Sequence, residues 1–179
     1  FAVSVPMAKR QILDDLLRMP YFRNYAACSG AVNNIASHEH AVKDIFLKNG
    51  LTECAKKFKN SIPVNSFVAQ PNGSQQHPDF LVRFDCEQVY KFECKSSDKT
   101  ATKPLYNSGG IKPGTIYIFS CQKYNKTTIY VGHDLITPEQ QEVLDELHRE
   151  VKKLVDTFNI KLKELDAFKR GIYDYPRPM

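Results

Sequence analysis

The chain has 179 residues, 42% of them hydrophobic and 25% charged, and a net charge of +5. That length suits one domain with a real core, and the composition is that of an ordinary soluble globular protein. No apolar run is long enough to span a bilayer, and Phe1-Ala-Val-Ser-Val-Pro6 is too short for a signal peptide and lacks its basic start.

In chain order, residues 8–18 read as a short amphipathic helix that ends before Pro20. A second helix is expected over 31–48, with Ile35, Ala41, Val42, Ile45 and Phe46 on one face and Asn49-Gly50 as its stop. Residues 51–77 are poorly patterned. Val64 to Ala69 suits a strand, and Gln70 to His77 is loop by composition. His77 stands beside an acid and could contact phosphate or water, although a loop histidine usually does neither.

Residues 79–84 and 89–95 alternate in character, as half-buried strands do, with Asp85-Cys86-Glu87 as a hairpin loop between them. Setting Val82 opposite Tyr90 and Phe80 opposite Phe92 brings Asp79 opposite Glu93. Phe80, Val82, Phe84, Tyr90, Phe92 and Cys94 then share the apolar face, and Asp79, Glu93 and Lys95 share the other. A one-residue slip would drive charges into the core.

A polar loop from Ser96 to Gly114 follows. Strands are expected over 115–121 and 127–131, joined by a turn over 122–126. The expectation is an α/β fold with a central mixed sheet of four to five strands flanked by helices. A long helix begins at Thr137, the N-cap, with Pro138 at its first position and Gln140 completing a capping box. Its apolar residues recur at spacings of three and four from Leu144 to Phe168, and its charges read as a solvated face. The stripe suits either the chain's own sheet or a second subunit. The tail from Tyr173 to Met179 is irregular, and there are no internal repeats.

The five cysteines, Cys28, Cys54, Cys86, Cys94 and Cys121, are odd in number and form no Cys-x-x-Cys. A zinc site or disulfide framework is not expected, and a reducing cytoplasmic setting is. Cys94 reads as a small buried hydrophobe, not a nucleophile.

Two carboxylates and a lysine on one strand face are what phosphodiester hydrolysis needs. Carboxylates hold a hard divalent cation, and the lysine orients water and stabilises developing charge. The bland alternative is a salt-bridge network, but two directly opposed acids repel unless a cation or a pKa shift intervenes.

Pro78-Asp79 followed by Glu93-Cys94-Lys95 resembles the PD-(D/E)xK nuclease superfamily, in its type II restriction endonuclease branch. Gln70-Pro-Asn-Gly-Ser-Gln75, Lys95-Ser-Ser97 and Tyr106-Asn-Ser-Gly109 extend the likeness, which covers roughly residues 60–132. The resemblance implies a restriction-endonuclease-like core: one nuclease domain with N-terminal helices over 1–50, a catalytic sheet over 60–132 and a long helix over 137–170. It implies a Mg²⁺-dependent enzyme, with Mn²⁺ as substitute, that cuts double-stranded DNA to leave 5′-phosphates. Asp79, Glu93 and the Cys94 main-chain carbonyl would hold the metal, and Lys95 would position water. Glu39, from the early helix, would add a metal or water contact.

Specificity is expected from two loops. Gln70, Asn72, Gln75 and Gln76 precede the motif; Ser96, Ser97, Lys103, Tyr106, Asn107, Ser108 and Lys112 follow it. Cutting two strands suggests a homodimer, with the long helix as part of its interface. A repair or Holliday-junction nuclease on the same core, or a non-catalytic DNA-binding protein, are the alternatives.

Overall fold

The computed structural model describes residues 7–28, 38–73, 76–97, 99–106 and 110–165, with side chains described within those spans except at 7, 8 and 26–28. The protein is α/β, with a six-stranded mixed sheet, flanking helices and a long C-terminal helix. The chain divides into two compact units: Phe1–Pro104 with Gly114–Val131, and Leu105–Pro113 with Gly132–Met179.

The first unit holds the whole sheet. Strands β1 (Thr52–Glu53), β2 (Ser66–Ala69), β3 (Phe80–Arg83), β4 (Val89–Ser96), β5 (Thr115–Cys121) and β6 (Lys126–Val131) lie side by side in sequence order. The β1–β2 and β4–β5 pairs are parallel and the rest antiparallel. The expected four to five strands become six because β1 is a two-residue, exposed strand. So short a piece leaves no alternation to read.

The β3–β4 register is the one the pattern predicts, Phe80 opposite Phe92 and Val82 opposite Tyr90. Its cause is burial. Phe80, Val82, Phe84 and Phe92 are all buried, with Tyr90 and Cys94 packed against them. Helices α1 (Met7–Arg18) and α3 (His38–Lys48) supply the other side of this core. Ile12 and Leu16 come from α1, and Ala41, Val42, Ile45 and Phe46 from α3. Ile35 lies outside the described residues. Gly50 ends the α3 segment with φ of +83°, a conformation that favours glycine.

A further helix, α2 (Phe22–Cys28), has no counterpart in the sequence reading. It is anchored by contacts distant in sequence. The Phe22 N–H donates to Ser120 Oγ at 2.9 Å, and the Asn125 side chain accepts from the Tyr21 N–H at 3.0 Å. His38 stacks on Phe22 at 5.5 Å, and burial pushes its pKa down to about 4, so it is a neutral core residue near pH 7.

In the second unit, α4 (Pro138–Glu164) starts as expected. Thr137 is the N-cap, and its exchange of hydrogen bonds with Gln140 completes the capping box. Just before it, Gly132 is required by close approach, since a Cβ there would lie 2.1 Å from the Lys112 carbonyl oxygen.

Phe46 is the centre of the first unit's core. Its ring meets Phe67 and Phe80 at 5.4 Å and Phe92 at 5.6 Å. Phe46→Ala is expected to cost about 3–5 kcal/mol in urea unfolding, with loss of two edge-type ring contacts and one tilted one as well as volume. A cost below about 1 kcal/mol would place the centre of the core elsewhere.

Candidate active site

Strand β4 outruns β3. Phe80 is the last β3 partner, opposite Phe92, and Glu93, Cys94, Lys95 and Ser96 continue alone on that side. Asp79 stands where β3 would have continued. Its Oδ2 accepts the Cys94 N–H at 2.7 Å, filling the place of a ladder bond. Glu93 and Lys95 project from alternate residues, and Lys95 Nζ donates to Glu93 Oε1 at 2.8 Å. Both side chains are 13% exposed, so this ion pair is mostly withdrawn from water.

The site carries more support than the sequence disclosed. His77 Nδ1 lies 3.0 Å from Glu93 Oε2, and its Nε2 lies 3.1 Å from Thr115 Oγ1. An ionised carboxylate only accepts, so Nδ1 carries the proton and Nε2 accepts from the threonine hydroxyl. Asn72 Nδ2 donates to the His77 carbonyl at 2.8 Å, and Lys59 Nζ donates to Asn72 Oδ1 at 3.2 Å. Gln70 Nε2 donates to Glu39 Oε2 at 2.8 Å, and its backbone N–H donates to the Asp79 carbonyl at 2.6 Å. Gln70 does this with φ of +47°, where glycine or asparagine is the usual occupant. The side chain is kept at a conformational cost, and Glu39 is what it holds.

The electrostatics divide the acids. Burial, the Glu93 charge and the Glu39 charge push Asp79 up to about 7, against the opposing Cys94 N–H and Lys95. Burial alone would raise Glu93 too, but the His77 hydrogen bond and the Lys95 ammonium outweigh it and hold Glu93 below its usual range. Desolvation and the neighbouring acids push the half-buried Cys94 well up, so it stays a thiol. It is therefore not a nucleophile.

Three carboxylates close enough to repel, with the Lys95 ammonium the only lysine paired among them, form an oxygen-rich site with an excess of negative charge. This donor set fits a hard divalent cation. Mg²⁺ is commonly held by one or two carboxylates, with water and substrate phosphate completing its shell. Asp79, Glu93 and the Cys94 carbonyl would hold it. Glu93 gives one lone pair of each oxygen to His77 and Lys95 and keeps another on each. Among the described residues no group of three or more His, Cys, Asp and Glu side chains is placed to hold a metal ion, so the Cys94 carbonyl, water and substrate would have to complete the shell.

The loop residues expected to read DNA divide. Gln76, Ser96 and Lys103 are exposed. Ser97 is 7% exposed; its N–H donates to the Ser120 carbonyl and its hydroxyl accepts from the Gln122 N–H, so it continues the β4 edge. Tyr106 is 8% exposed and Lys112 is half-buried. Ser97 and Tyr106 are therefore buried, and Gln70 and Asn72 have structural partners. Gln75, Asn107 and Ser108 lie outside the described residues.

No helix among the described residues is long and apolar enough to cross a membrane. In comparisons with known proteins, no family model, no curated protein and no solved structure matches this chain.

The Asp79 shift has a sign that can be tested. Its folded pKa, about 7, exceeds the ordinary 3.8, so between those values the folded state keeps a proton that the unfolded chain releases. Stability is therefore lost as pH rises from about 4 to about 7. Asp79→Asn, which does not titrate, is expected to match wild type near pH 4, before that loss begins. At pH 8 in EDTA it should be more stable by roughly 1–3 kcal/mol in urea unfolding. Equal stabilities at pH 8 would remove the repulsion. By the same linkage, a Mg²⁺ ion held by Asp79 would have to displace that proton, so any calorimetric affinity for Mg²⁺ should rise between pH 6 and pH 8.

Proposed function

We propose that this protein is a Mg²⁺-dependent, sequence-specific endonuclease of double-stranded DNA, of the type II restriction kind, with a restriction-endonuclease-like core. One observation carries the reading: Asp79, Glu93 and Lys95 meet at the overhanging end of β4, and Asp79 is raised to about 7 by burial and its acidic neighbours. A salt-bridge network needs one acid per lysine. A third acid, Glu39, held nearby by Gln70, serves no such network.

The cation, when bound, neutralises a phosphate oxygen and lowers the pKa of a coordinated water. The chain's own groups do the rest. Lys95 Nζ, fixed by Glu93, can donate to an attacking water and to the phosphoryl oxygen as charge develops. His77 holds the far Glu93 oxygen, so the carboxylate cannot rotate away from the lysine. Glu39, steadied by Gln70, offers a further acceptor to a water proton. In-line attack on phosphorus with departure of the 3′ oxygen leaves a 5′-phosphate. Exposed Lys99 and Lys103, on the chain leaving β4, suit the DNA backbone, where each phosphate contact adds salt-dependent affinity.

Digestion of a plasmid of known sequence should give discrete fragments with Mg²⁺ and none with EDTA, and sequencing of fragment ends should return one short site. Cutting confined to branched DNA would make it a junction nuclease, and DNA binding without cutting would leave a non-catalytic protein. Asp79→Ala, Glu93→Ala and Lys95→Ala should each lose at least about a hundredfold in cleavage rate, roughly 3 kcal/mol, while still binding DNA. Unimpaired cutting by Glu93→Ala would sink the assignment.

His77→Leu is expected to slow cleavage by about tenfold or more, and His77→Gln, which can still donate to Glu93, less. Equal rates for the two variants, compared under single-turnover conditions, would remove the positioning role.

A further inference from the structure

We propose that the exposed turn over 56–60, between β1 and β2, is a DNA-backbone arm, in which Lys56, Lys57 and Lys59 take phosphates of the duplex beside the scissile bond. That the polyanion is duplex DNA rests on the proposed nuclease function. The position and charge of the arm do not.

Topology puts the turn at the catalytic edge of the sheet. Strands β1 and β2 are parallel, so both end on the same edge. Strand β3 is antiparallel to β2 and begins there, directly after Asp79. Strand β4 ends there in turn, with Glu93 and Lys95 on its overhang. A single 3₁₀ turn, Lys56–Phe58, follows β1 on that edge. Hydrogen bonds tie it to the site. Lys59 Nζ donates to Asn72 Oδ1 at 3.2 Å, Asn72 Nδ2 donates to the His77 carbonyl at 2.8 Å, and the His77 ring meets Glu93 at 3.0 Å. A phosphate taken by this turn therefore lies close to the group that would hold the metal.

The charge of the turn has no use within the fold. Residues 55–61 are all exposed and carry three lysines and no acid. The acid that precedes them, Glu53, is taken by Lys43. Among the described residues no carboxylate pairs with Lys56, Lys57 or Lys59, whereas Lys152 and Lys153 on α4 pair with Asp156 and Glu150. Three ammonium groups within four positions repel one another, and a phosphate backbone relieves that repulsion. Phe58 is 39% exposed, with Lys57 Nζ over its ring at 5.2 Å, so the ring supports an ammonium and not the core. The same charge answers a need of the site. Asp79, Glu93 and Glu39 repel an approaching phosphodiester, and positive charge beside them offsets this. Exposed Lys99 and Lys103 supply it on the chain leaving β4, and the turn after β1 supplies it from the β1 side of the cluster.

The test is fluorescence anisotropy of a labelled random-sequence duplex with the full chain, in EDTA and in the Asp79→Ala background. Cleavage is then absent and one repelling acid is gone. Adding Lys56→Ala, Lys57→Ala and Lys59→Ala together should weaken binding by at least about tenfold and make log Kd less steep in log[NaCl] by about one for each lysine in contact. Lys56→Ala with Lys57→Ala keeps the Lys59–Asn72 bond and should still flatten the slope. Replacing all three by Arg keeps the charge and should bind like the parent. Lys48→Ala, at the end of α3 away from Glu39, should change the affinity by less than about twofold. Circular dichroism and urea midpoints should match across the set, since every position is exposed. A triple alanine variant within about twofold of its parent, at unchanged slope, would overturn the arm and leave the nuclease reading standing. A parent that binds no duplex would overturn both. Loss of binding in the triple variant of a chain that never cuts DNA would support the arm and overturn the nuclease alone.

Discussion

The β3–β4 register is the constraint from which the candidate site follows. Phe80 opposite Phe92 and Val82 opposite Tyr90 put the aromatic rings on the side covered by Phe46. Alternation then leaves Glu93 and Lys95 no choice but the other side. A slip of β4 by one residue would turn Phe92 out of the core, with Tyr90 and Cys94, and turn Glu93 and Lys95 into it, so the hydrophobic effect holds these side chains in place. The polar side adds its own lock. The Asp79 carboxylate caps the Cys94 N–H where β3 stops, so the strand ends on the very group that the site needs.

That arrangement is destabilising by itself. A buried carboxylate beside two others costs free energy, expressed here as the proton that Asp79 retains to about 7. The surroundings do not relieve the strain so much as contain it. Gln70, in a left-handed conformation, holds Glu39, while His77 and Asn72 hold Glu93 and the loop behind it. Stability surrendered at one place and recovered by packing elsewhere is the usual mark of a functional site. An isolated structural ion pair would have no use for the third acid.

Much of this was legible in the sequence, because strands with one buried face write their period into the chain. The β3, β4, β5 and β6 strands, the β3–β4 register, and the N-cap of α4 all follow from alternation, β-branched and aromatic content, or local capping chemistry. What was not legible depends on partners distant in sequence. Nothing around Phe22 announces α2, which is fastened to Ser120 and Asn125 roughly a hundred residues away. The roles of Gln70 and His77 rest on Glu39, Glu93 and Thr115, and their loop composition signals only a turn. The burial of Ser97 and Tyr106 was not legible for a related reason. A polar loop can extend a strand edge, as Ser97 does, and a tyrosine is apolar enough to bury its ring in one.

Helix α4 marks the boundary between what periodicity decides and what it leaves open. Spacing establishes that an apolar face exists, and the capping box establishes where the helix starts. Neither says what the face meets. Along the described helix Leu144, Val151 and Leu162 are half-buried whereas Leu147, Leu154 and Phe158 are exposed, so spacing fixes the face but not how deeply each residue on it is covered.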